Sequence, residues 1–456
     1  MPGSCSKAEV AGVVRILHIA TPPTYPCGVS LTEQITGIAT AAKGASRALA
    51  QLTAPERDQA LVAMAAALET SVAALLDANA KDLEIGRDLG LSTAMLDRLT
   101  LNPERILAMA RGVHEVALLP NPVGRILDER IRPNGLRLQK VSTPIGVVVI
   151  IYESRPNVTA DAASLCFKTG NATLLRGGKE ALNSNRLIAR LMVDAGRQVL
   201  RDRFPEAAIQ VIPTTDREAV PILLSLTSLV DLCMPRGGEG LIRAVTECSK
   251  VPVIKHYKGV CHIYVDREAD LDMADSILWN AKVQRPSACN AAETVLVDRP
   301  VAAAFLPRAA RHLAERQVEL RVDPDSMALL KDLGAKGPVL KAATERDYAT
   351  EYNDYILNVR VVDGVDAAIE HIHRHGSAHS DAIITRNEST ARNFLQGVDS
   401  AAVYWNASTR FTDGGEFGMG AEIGISTDKV GARGPMGLAE LCSYKWIGLG
   451  TGQIRG

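Results

Sequence analysis

Cys289 is the residue whose type and surroundings point most directly to covalent chemistry. It stands among small and turn-forming residues at 283–291, between an amphipathic stretch and the strand-like run 293–298. Small neighbours let a carbonyl group approach the sulfur, and backbone N–H groups at a turn lower the pKa of a thiol. A buried structural cysteine is the alternative, because free cysteine is among the most buried residue types. The surroundings of Cys289 leave both interpretations open.

Two glycine-rich loops follow predicted strands and are candidates for contact with a nucleotide. They are Arg176-Gly177-Gly178-Lys179 and, after Arg236, Gly237-Gly238. Glycine beside a helix start lets the backbone approach a pyrophosphate. The G-x-G-x-x-G fingerprint is absent from the sequence, and glycine after a strand is also an ordinary turn residue. The loops therefore favour a nucleotide only modestly.

A histidine-rich run at 370–375, followed by His379, raises the question of a metal. On a helix, His371 and His375 share a face, as zinc ligands can. No acidic or thiolate third ligand stands out nearby in the sequence. We therefore expect no metal.

Composition narrows the class of protein. The chain has 456 residues, which predicts two or three packed units. A formal net charge of −1 and 4% aromatic residues argue against nucleic acid and against an anionic membrane surface as partners. No apolar run approaches a membrane span. The eight cysteines are scattered without a C-x-x-C pair, so we expect a reducing, cytoplasmic location. Residues 1–28 are predicted to form a loose leader.

The elements that must position these residues alternate in type along the chain. From about residue 31 to 110 the pattern is helical. Alternating residues on both sides of Asn134-Gly135 predict a β-hairpin. Because two strands are not stable alone in water, this arm must lie on another surface. A partner subunit and the rest of the same chain both remain open.

Two α/β units follow. In the first, short apolar strands alternate with helices, and strands are predicted at 146–151, 172–175, 208–212, 229–233 and 251–254. This pattern favours a parallel sheet covered on both faces, as in a Rossmann-like domain. In the second, which contains Cys289, strands are predicted at 262–265, 294–297, 356–361, 382–385 and 401–404.

Several motifs resemble one family from about residue 31 to 450. They are Tyr152-Glu153-Ser154-Arg155-Pro156-Asn157, residues 251–266 together with Cys289, and residues 375–381, 411–426 and 433–448. The chain resembles the gamma-glutamyl phosphate reductases, also called glutamate-5-semialdehyde dehydrogenases, a branch of the aldehyde dehydrogenase superfamily.

The resemblance implies an aldehyde dehydrogenase-like α/β fold with three parts. A Rossmann-like cofactor domain would comprise residues 29–125 and 143–257. An α/β catalytic domain would comprise residues 258–432. A β-hairpin oligomerisation arm and tail would comprise residues 126–142 and 433–456.

The resemblance also implies a reaction. L-Glutamyl 5-phosphate would be reduced with NADPH to L-glutamate 5-semialdehyde and phosphate, in proline biosynthesis. Cys289 would form a thioester, and Asn157 matches the asparagine that donates a hydrogen bond to the carbonyl oxygen. Further implications are a homo-oligomer and channelling of the substrate from glutamate 5-kinase. Judged without the resemblance, Asn157 would be a turn residue after Pro156.

Departures from the general superfamily pattern concern the choice of cofactor and the activation of water for hydrolysis of the thioester. Lys179 stands where NAD-preferring relatives often place a glutamate, and Lys179 with Arg176 would attract a 2′-phosphate. NADPH is therefore expected, although a solvated lysine is the alternative. Glu351 falls near the position of a glutamate for the nicotinamide ribose. His256 replaces the glutamate that activates water, which suits a reductase, although a histidine can itself act as a base.

The substrate implied by the resemblance is anionic, and three arginines beside the matched motifs are candidates to bind it: Arg155, Arg285 and Arg410. Each of them could instead be a surface residue. Two other functions remain open, a hydrolysing aldehyde dehydrogenase for another semialdehyde and a non-catalytic nucleotide-binding protein with an inert Cys289.

Overall fold

The computed structural model describes residues 29–334 and 337–455. The predicted leader at 1–28 lies outside the described residues. Five helices come first in the described chain: α1 Leu31–Leu49, α2 Ala54–Thr70, α3 Val72–Asp88, α4 Thr93–Leu99 and α5 Pro103–Leu118. The predicted helical region is thus confirmed. Ser30 and Thr53 start α1 and α2 with capping boxes, in which Glu33 and Glu56 reach back to the cap.

The first parallel sheet has four strands in the order β5-β4-β3-β6: β3 Val147–Tyr152, β4 Ala172–Arg176, β5 Ile209–Val211 and β6 Leu232–Arg236. The helices that alternate with these strands are α6 Asn157–Lys168, α7 Leu182–Leu200, α8 Ala219–Ser225 and α9 Glu239–Cys248. Strand β3 is buried along its whole length, as expected for a central parallel strand. The carboxylate of Asp82 in α3 accepts the backbone N–H groups of Asn183 and Ser184, which fixes the start of α7.

The second sheet is also parallel and has seven strands in the order β10-β9-β11-β8-β7-β12-β13. These are β7 Cys261–Val265, β8 Ala292–Asp298, β9 Glu319–Val322, β10 Leu340–Ala342, β11 Ile356–Val362, β12 Ser380–Ile384 and β13 Ala402–Trp405. The intervening helices are α10 Leu271–Val283, α11 Arg299–Ala314, α12 Pro324–Leu330, α13 Glu345–Tyr348, α14 Val365–His375 and α15 Glu388–Gly397. Separate apolar clusters build the cores of the two units.

The predicted hairpin is confirmed and is part of a larger element. Strands β1 Ile126–Ile131 and β2 Arg137–Pro144 pair antiparallel, and Gly135 in the turn has φ +83°. The late strand β16 Cys442–Leu449 pairs with β2 and completes a three-stranded sheet. A short antiparallel pair, β14 Gly424–Ser426 and β15 Gly434–Met436, joins the predicted catalytic segment to the predicted tail.

Three details differ from the sequence-based expectations. Residues 251–254 do not form a strand, since only a single bridge links Val253 to Cys233 in the edge strand β6; Pro252 lacks the N–H that would extend this pairing. The strand predicted at 229–233 begins at Leu232. Strands β9, β10, β14, β15 and β16 were not predicted. The domain boundaries stay a prediction.

Within the described ranges, no single helix is long and apolar enough to cross a membrane. Taken together, the successive helices α2 and α3 are long and apolar enough by length and composition, but they are bent by 70° at their junction.

Candidate functional site

Cys289 lies in consecutive turns between α10 and β8. The N–H of Ala288 donates to the carbonyl of Arg285, and that of Ala291 donates to the carbonyl of Ala288. The segment before β7 packs tightly here, because a Cβ on Gly259 would come 1.7 Å from the carbonyl oxygen of Cys289. Cys289 is half-buried. The predicted position in a tight connection is thus confirmed.

Two histidines lie beside the thiol of Cys289. A ring nitrogen of His256, a ring nitrogen of His379 and the sulfur lie within 4.8 Å of one another. Nδ1 of His256 is 2.9 Å from the carbonyl oxygen of Ile425, and Nδ1 of His379 is 2.8 Å from Oγ of Ser380. Burial lowers the pKa of both imidazoles, to about 3 for His379. Both rings are therefore neutral at pH 7.

Burial raises the pKa of the Cys289 thiol to about 11, and the nearby carboxylates of Glu351 and Glu422 act in the same direction. The positive charge of Arg236 opposes them. The backbone N–H of Cys289 lowers this pKa, in the expected direction, but loss of water around the sulfur outweighs it and the net shift is upward. The thiol must therefore lose its proton as part of its reaction, and it is not a preformed thiolate.

Asn157 is the first residue of α6 and follows the carboxyl end of β3. Its side-chain N–H donates to Oδ2 of Asp161 at 3.0 Å, which leaves the second N–H of the carboxamide available. Burial raises the pKa of Asp161 to about 6, and the hydrogen bond from Asn157 and the charge of Arg236 offset part of the rise. Arg236 thus influences both Asp161 and Cys289.

Guanidinium groups cluster around this centre. Burial lowers the pKa of Arg155 and of Arg410. The charges of Arg98, Arg236 and Arg285 lower the pKa of Arg155 further, and the charge of Arg285 does the same for Arg410, whereas Cys289 opposes it. Arg410 donates to Gln284 at 2.8 Å and to Asn290. In the part of the chain that the structure describes, none of these arginines lies within 4.0 Å of a carboxylate oxygen. Such a cluster can hold an anion with two acidic groups.

The predicted cofactor glycines differ in what surrounds them. A Cβ on Gly177 would meet Asn185 at 2.2 Å, one on Gly178 would meet Glu180 at 2.0 Å, and one on Gly237 would meet Glu153 at 2.7 Å. Packing within the chain alone therefore accounts for these three glycines. Gly238, at the start of α9, faces open space, and its N–H donates to Glu153 at 3.2 Å.

Lys179 is exposed directly after the loop that follows β4. The adjacent Glu180 is buried, and its carboxylate accepts a hydrogen bond from Ser154. Arg176 donates to the backbone carbonyls of Thr215 and Asp216 at 3.2 and 3.4 Å. Burial lowers the pKa of Arg176 while the charges of Glu180 and Asp216 raise it, and the Lys179 ammonium is exposed.

Glu351 is half-buried near Cys289, since its charge raises the pKa of the thiol. The structure thus brings Cys289, Glu351, His256 and the arginines together, whereas Arg176, Gly177, Gly178 and Lys179 lie at the carboxyl end of β4.

Arg236, Glu422 and His379 were not predicted as site residues. Arg236 could have been found, because it ends a parallel strand just before Gly237-Gly238, where ligands of α/β sheets bind.

Comparisons with known proteins agree with this geometry. The sequence profile of the aldehyde dehydrogenase family matches residues 27–329. A gamma-glutamyl phosphate reductase from Opitutus terrae is 54% identical over 93% of this chain and 99% of its own length. That of Moorella thermoacetica is 54% identical over 91% and 97%.

Solved structures show the same relationship. The gamma-glutamyl phosphate reductase of Thermotoga maritima has a TM-score of 0.88 at 43% identity and covers 93% of this chain and 100% of its own. An acetylating aldehyde dehydrogenase from Geobacillus thermoglucosidasius, at 17% identity, shares the fold with a TM-score of 0.64 over 93% and 98%. The predicted fold class is therefore confirmed, and the chain belongs to the aldehyde dehydrogenase family and, within it, to the gamma-glutamyl phosphate reductases.

Proposed function

We propose that this protein reduces L-glutamyl 5-phosphate to L-glutamate 5-semialdehyde and phosphate with NADPH, in proline biosynthesis, and that Cys289 is its nucleophile. The observation that carries the proposal is a half-buried thiol among arginines that lack carboxylate partners within the described ranges. The relatives named above carry the name of this activity.

The sulfur of Cys289 attacks the acyl carbon as its S–H bond breaks, and the proton passes to the departing phosphate. A C–S bond forms, and phosphate leaves with the electron pair of the C–O bond, so that a thioester remains on Cys289. Negative charge develops on the carbonyl oxygen during this step. The second side-chain N–H of Asn157 and the backbone N–H of Cys289 are the donors for that oxygen, and Asp161 orients the Asn157 carboxamide.

NADPH, when bound, supplies the hydride that reduces the thioester. The tetrahedral species on Cys289 then collapses, the C–S bond breaks and the aldehyde leaves. The same Asn157 donor serves this second step, since negative charge again develops on the oxygen. Glu351, close to the thiol, is assigned to the nicotinamide ribose.

The residues after β4 and β6 fit a dinucleotide in part. Gly238 leaves open space at the start of α9, and Gly177, Gly178 and Gly237 keep the adjacent loops close to the sheet. Lys179 presents an exposed positive charge, and the carboxylate of Glu180, whose charge acts on Arg176, accepts a hydrogen bond from Ser154. This arrangement supports a 2′-phosphate on the ribose, and hence NADPH in preference to NADH.

The thioester has to persist until hydride arrives. His256, neutral and bonded to the Ile425 carbonyl, stands where hydrolysing members of the superfamily carry a glutamate. The carboxylate of Glu422 accepts the N–H of Gly414 at 2.8 Å and is thus engaged. Both features support reduction over hydrolysis.

Arg155, Arg285 and Arg410, together with Arg236, are assigned to the phosphate and the α-carboxylate of the substrate. Arg236 and Arg410 are coupled by charge to the thiol, and Arg155 and Arg285 are coupled to those two, so this set of guanidinium groups matches a substrate that carries two acidic groups.

The arm of β1, β2 and β16 is assigned to contact with a second copy of the chain. It exposes Ile126, Leu127, Ile131 and Trp446, and an antiparallel sheet of this kind gains stability from a covering surface. Cytoplasmic location and channelling of the acyl phosphate from glutamate 5-kinase belong to the same proposal.

The decisive experiment runs the reaction backwards. Glutamate 5-semialdehyde is offered with NADP and then with NAD, in the presence and absence of phosphate. We expect oxidation that requires phosphate and prefers NADP. Phosphate-independent oxidation would identify a hydrolysing dehydrogenase instead, and cofactor binding without turnover would identify a nucleotide-binding protein with an inert thiol.

A further inference from the structure

We propose that Cys289, His256 and His379 form a reversible binding site for a soft divalent cation such as Zn²⁺, and that the bound cation inhibits the enzyme. The three ligand atoms lie within 4.8 Å of one another. One thiolate and two imidazoles are ligands that Zn²⁺ prefers, and three protein ligands leave the fourth tetrahedral position open to water or substrate.

Hydrogen bonds fix which ring nitrogen of each histidine keeps a free lone pair. A backbone carbonyl only accepts, so Nδ1 of His256 carries the proton that Ile425 accepts. The hydroxyl of Ser380 donates to Thr412 at 2.7 Å, so it accepts from Nδ1 of His379. Nε2 is therefore the lone-pair nitrogen of both rings.

His379 provides an independent indication of a missing ligand. The residue is 0% exposed, and its Nε2 has no hydrogen-bond partner within the described part of the chain. A buried polar atom without a partner costs free energy unless something satisfies it. A cation coordinated by Nε2 would remove that cost.

The surroundings of the two imidazoles resemble those of metal-bound histidines. Such histidines donate their other ring N–H to a carbonyl or another oxygen, which fixes the ring and makes the free nitrogen more basic. Ile425 and Ser380 supply these acceptors here. The ring centroids of His256 and His379 are 5.6 Å apart and nearly perpendicular, with an interplanar angle of 72°.

Neighbouring charged groups affect the net charge of the cation with its three ligands. When the cation binds, the S–H bond of Cys289 breaks and its proton passes to solvent, so the thiolate and two neutral imidazoles leave one net positive charge. Glu351 and Glu422 lie close enough to influence the thiol and offset this charge, whereas Arg236 opposes it.

The expectation of no metal rested on the lack of a thiolate near the histidine-rich run. Folding brings Cys289 to His379 from a distant part of the sequence, whereas among the described residues His371 and His375 do not form a group of three ligands. A thiolate held by Zn²⁺ cannot attack an acyl carbon, so the cation would block turnover. This consequence rests on the proposed function, whereas the binding site itself does not.

The test uses Co²⁺ as a spectroscopic substitute for Zn²⁺, with the full-length protein. A thiolate bound to Co²⁺ gives a charge-transfer band in the near ultraviolet. We expect one Co²⁺ per chain with this band, displacement by Zn²⁺, and slower alkylation of Cys289 when Zn²⁺ is bound. Cys289→Ser should remove the band, and His379→Gln should weaken binding by about tenfold to a hundredfold.

His373→Gln is the matched control, since His373 lies on the exposed side of α14 and bonds to the Gly397 carbonyl. Its binding should equal that of the original protein, and circular dichroism should show that every variant folds. Absence of the thiolate band, or unchanged affinity in His379→Gln, would overturn the inference. If the charge-transfer band appears in a protein without reductase activity, the metal site is supported and the proposed function is contradicted.

Discussion

Two side-chain pairs of the same chemistry lie in different regions of the molecule. In the centre around Cys289, Asn157 donates to Asp161 at 3.0 Å; on the outer helices α14 and α15, Asn393 donates to Asp366 at the same distance. The outer pair is exposed on both sides. Asp161 is half-buried and its pKa is raised to about 6 by burial. Asn157 is exposed like the outer pair, but Asp161 and the Cys289 thiol are both influenced by the charge of Arg236, whereas Asp366 lines a surface cavity with Arg267 and Thr390.

This comparison indicates that surroundings, more than residue type, distinguish the site. The outer pair has the same donor and acceptor, but Asp161 shares with the Cys289 thiol the influence of Arg236. Each of the following substitutions tests a residue of the Cys289 centre against a similar residue elsewhere.

Cys289→Ser should have the largest effect, because an alcohol is a far weaker nucleophile than a thiolate at neutral pH. We expect kcat/KM to fall by at least about a thousandfold, with NADPH affinity retained. Cys248→Ser, at another half-buried cysteine, should leave kcat/KM unchanged. Steady-state kinetics and fluorescence titration of NADPH measure both. Substantial turnover in Cys289→Ser would mean that another group is the nucleophile.

Asn157→Ala should lower kcat by about a hundredfold, since one donor to the developing oxyanion is lost. Asn393→Ala breaks the equivalent bond on the outer helices and should leave kcat unchanged. If the two variants behave alike in steady-state assays, the difference between the two pairs has no catalytic meaning.

Gly259→Ala should displace the turn that holds Cys289, because the added Cβ would lie 1.7 Å from the Cys289 carbonyl oxygen. A nucleophile moved by a fraction of an ångström is expected to lose at least about tenfold in kcat. Gly112→Ala, in α5 with nothing within 4 Å, is the control and should add up to about 1 kcal/mol of stability. Kinetics with thermal unfolding separate the two effects. Unchanged kcat in Gly259→Ala would show that the turn adjusts freely.

Asp161→Asn should have the smallest effect of these substitutions, and it should stabilise the folded protein. The folded pKa of about 6 lies above the ordinary 3.8, so ionisation of Asp161 costs stability as the pH rises through this interval. The substitution should raise the free energy of unfolding at pH 7.5 by about 1 kcal/mol, allowing for partial solvent screening. Most of the gain should disappear at pH 4.

Urea unfolding at the two pH values measures this change, with Asp366→Asn as the control, expected to stay within about 0.5 kcal/mol. Turnover should fall in Asp161→Asn because the carboxamide of Asn157 loses its charged acceptor. Equal stability of Asp161→Asn and the original protein at pH 7.5 would contradict a folded-state pKa of Asp161 that burial raises to about 6.

The sequence predicted the kinds of element better than their exact extent. Apolar runs such as 146–151 gave the central strands, since a parallel strand buried on both faces is apolar throughout. The short strands β9 and β10, at one edge of the second sheet, were not predicted because charged residues interrupt their apolar pattern: Glu319 and Arg321 in β9, and Lys341 in β10. The run at 251–254 looked like a strand and failed because of Pro252.

For the site, local patterns identified Cys289 as a candidate but not its neighbours. His379 comes close to Cys289 because of the strand order in the second sheet. His379 precedes β12, β12 pairs with β7, and β7 pairs with β8, which follows Cys289. Strand order depends on tertiary packing and has no signature in a short stretch of sequence. The residues contributed by neighbouring strands could therefore be found only from the fold.

The pairing of β16 with β2 has a consequence for biosynthesis. Because β16 is translated after every strand of the second parallel sheet, the hairpin emerges from the ribosome long before its third strand exists. The apolar core of the second unit is complete before β16 is made, but the core of the first includes Met436, Leu438 and Leu441, so the first unit and the arm both wait for late translation.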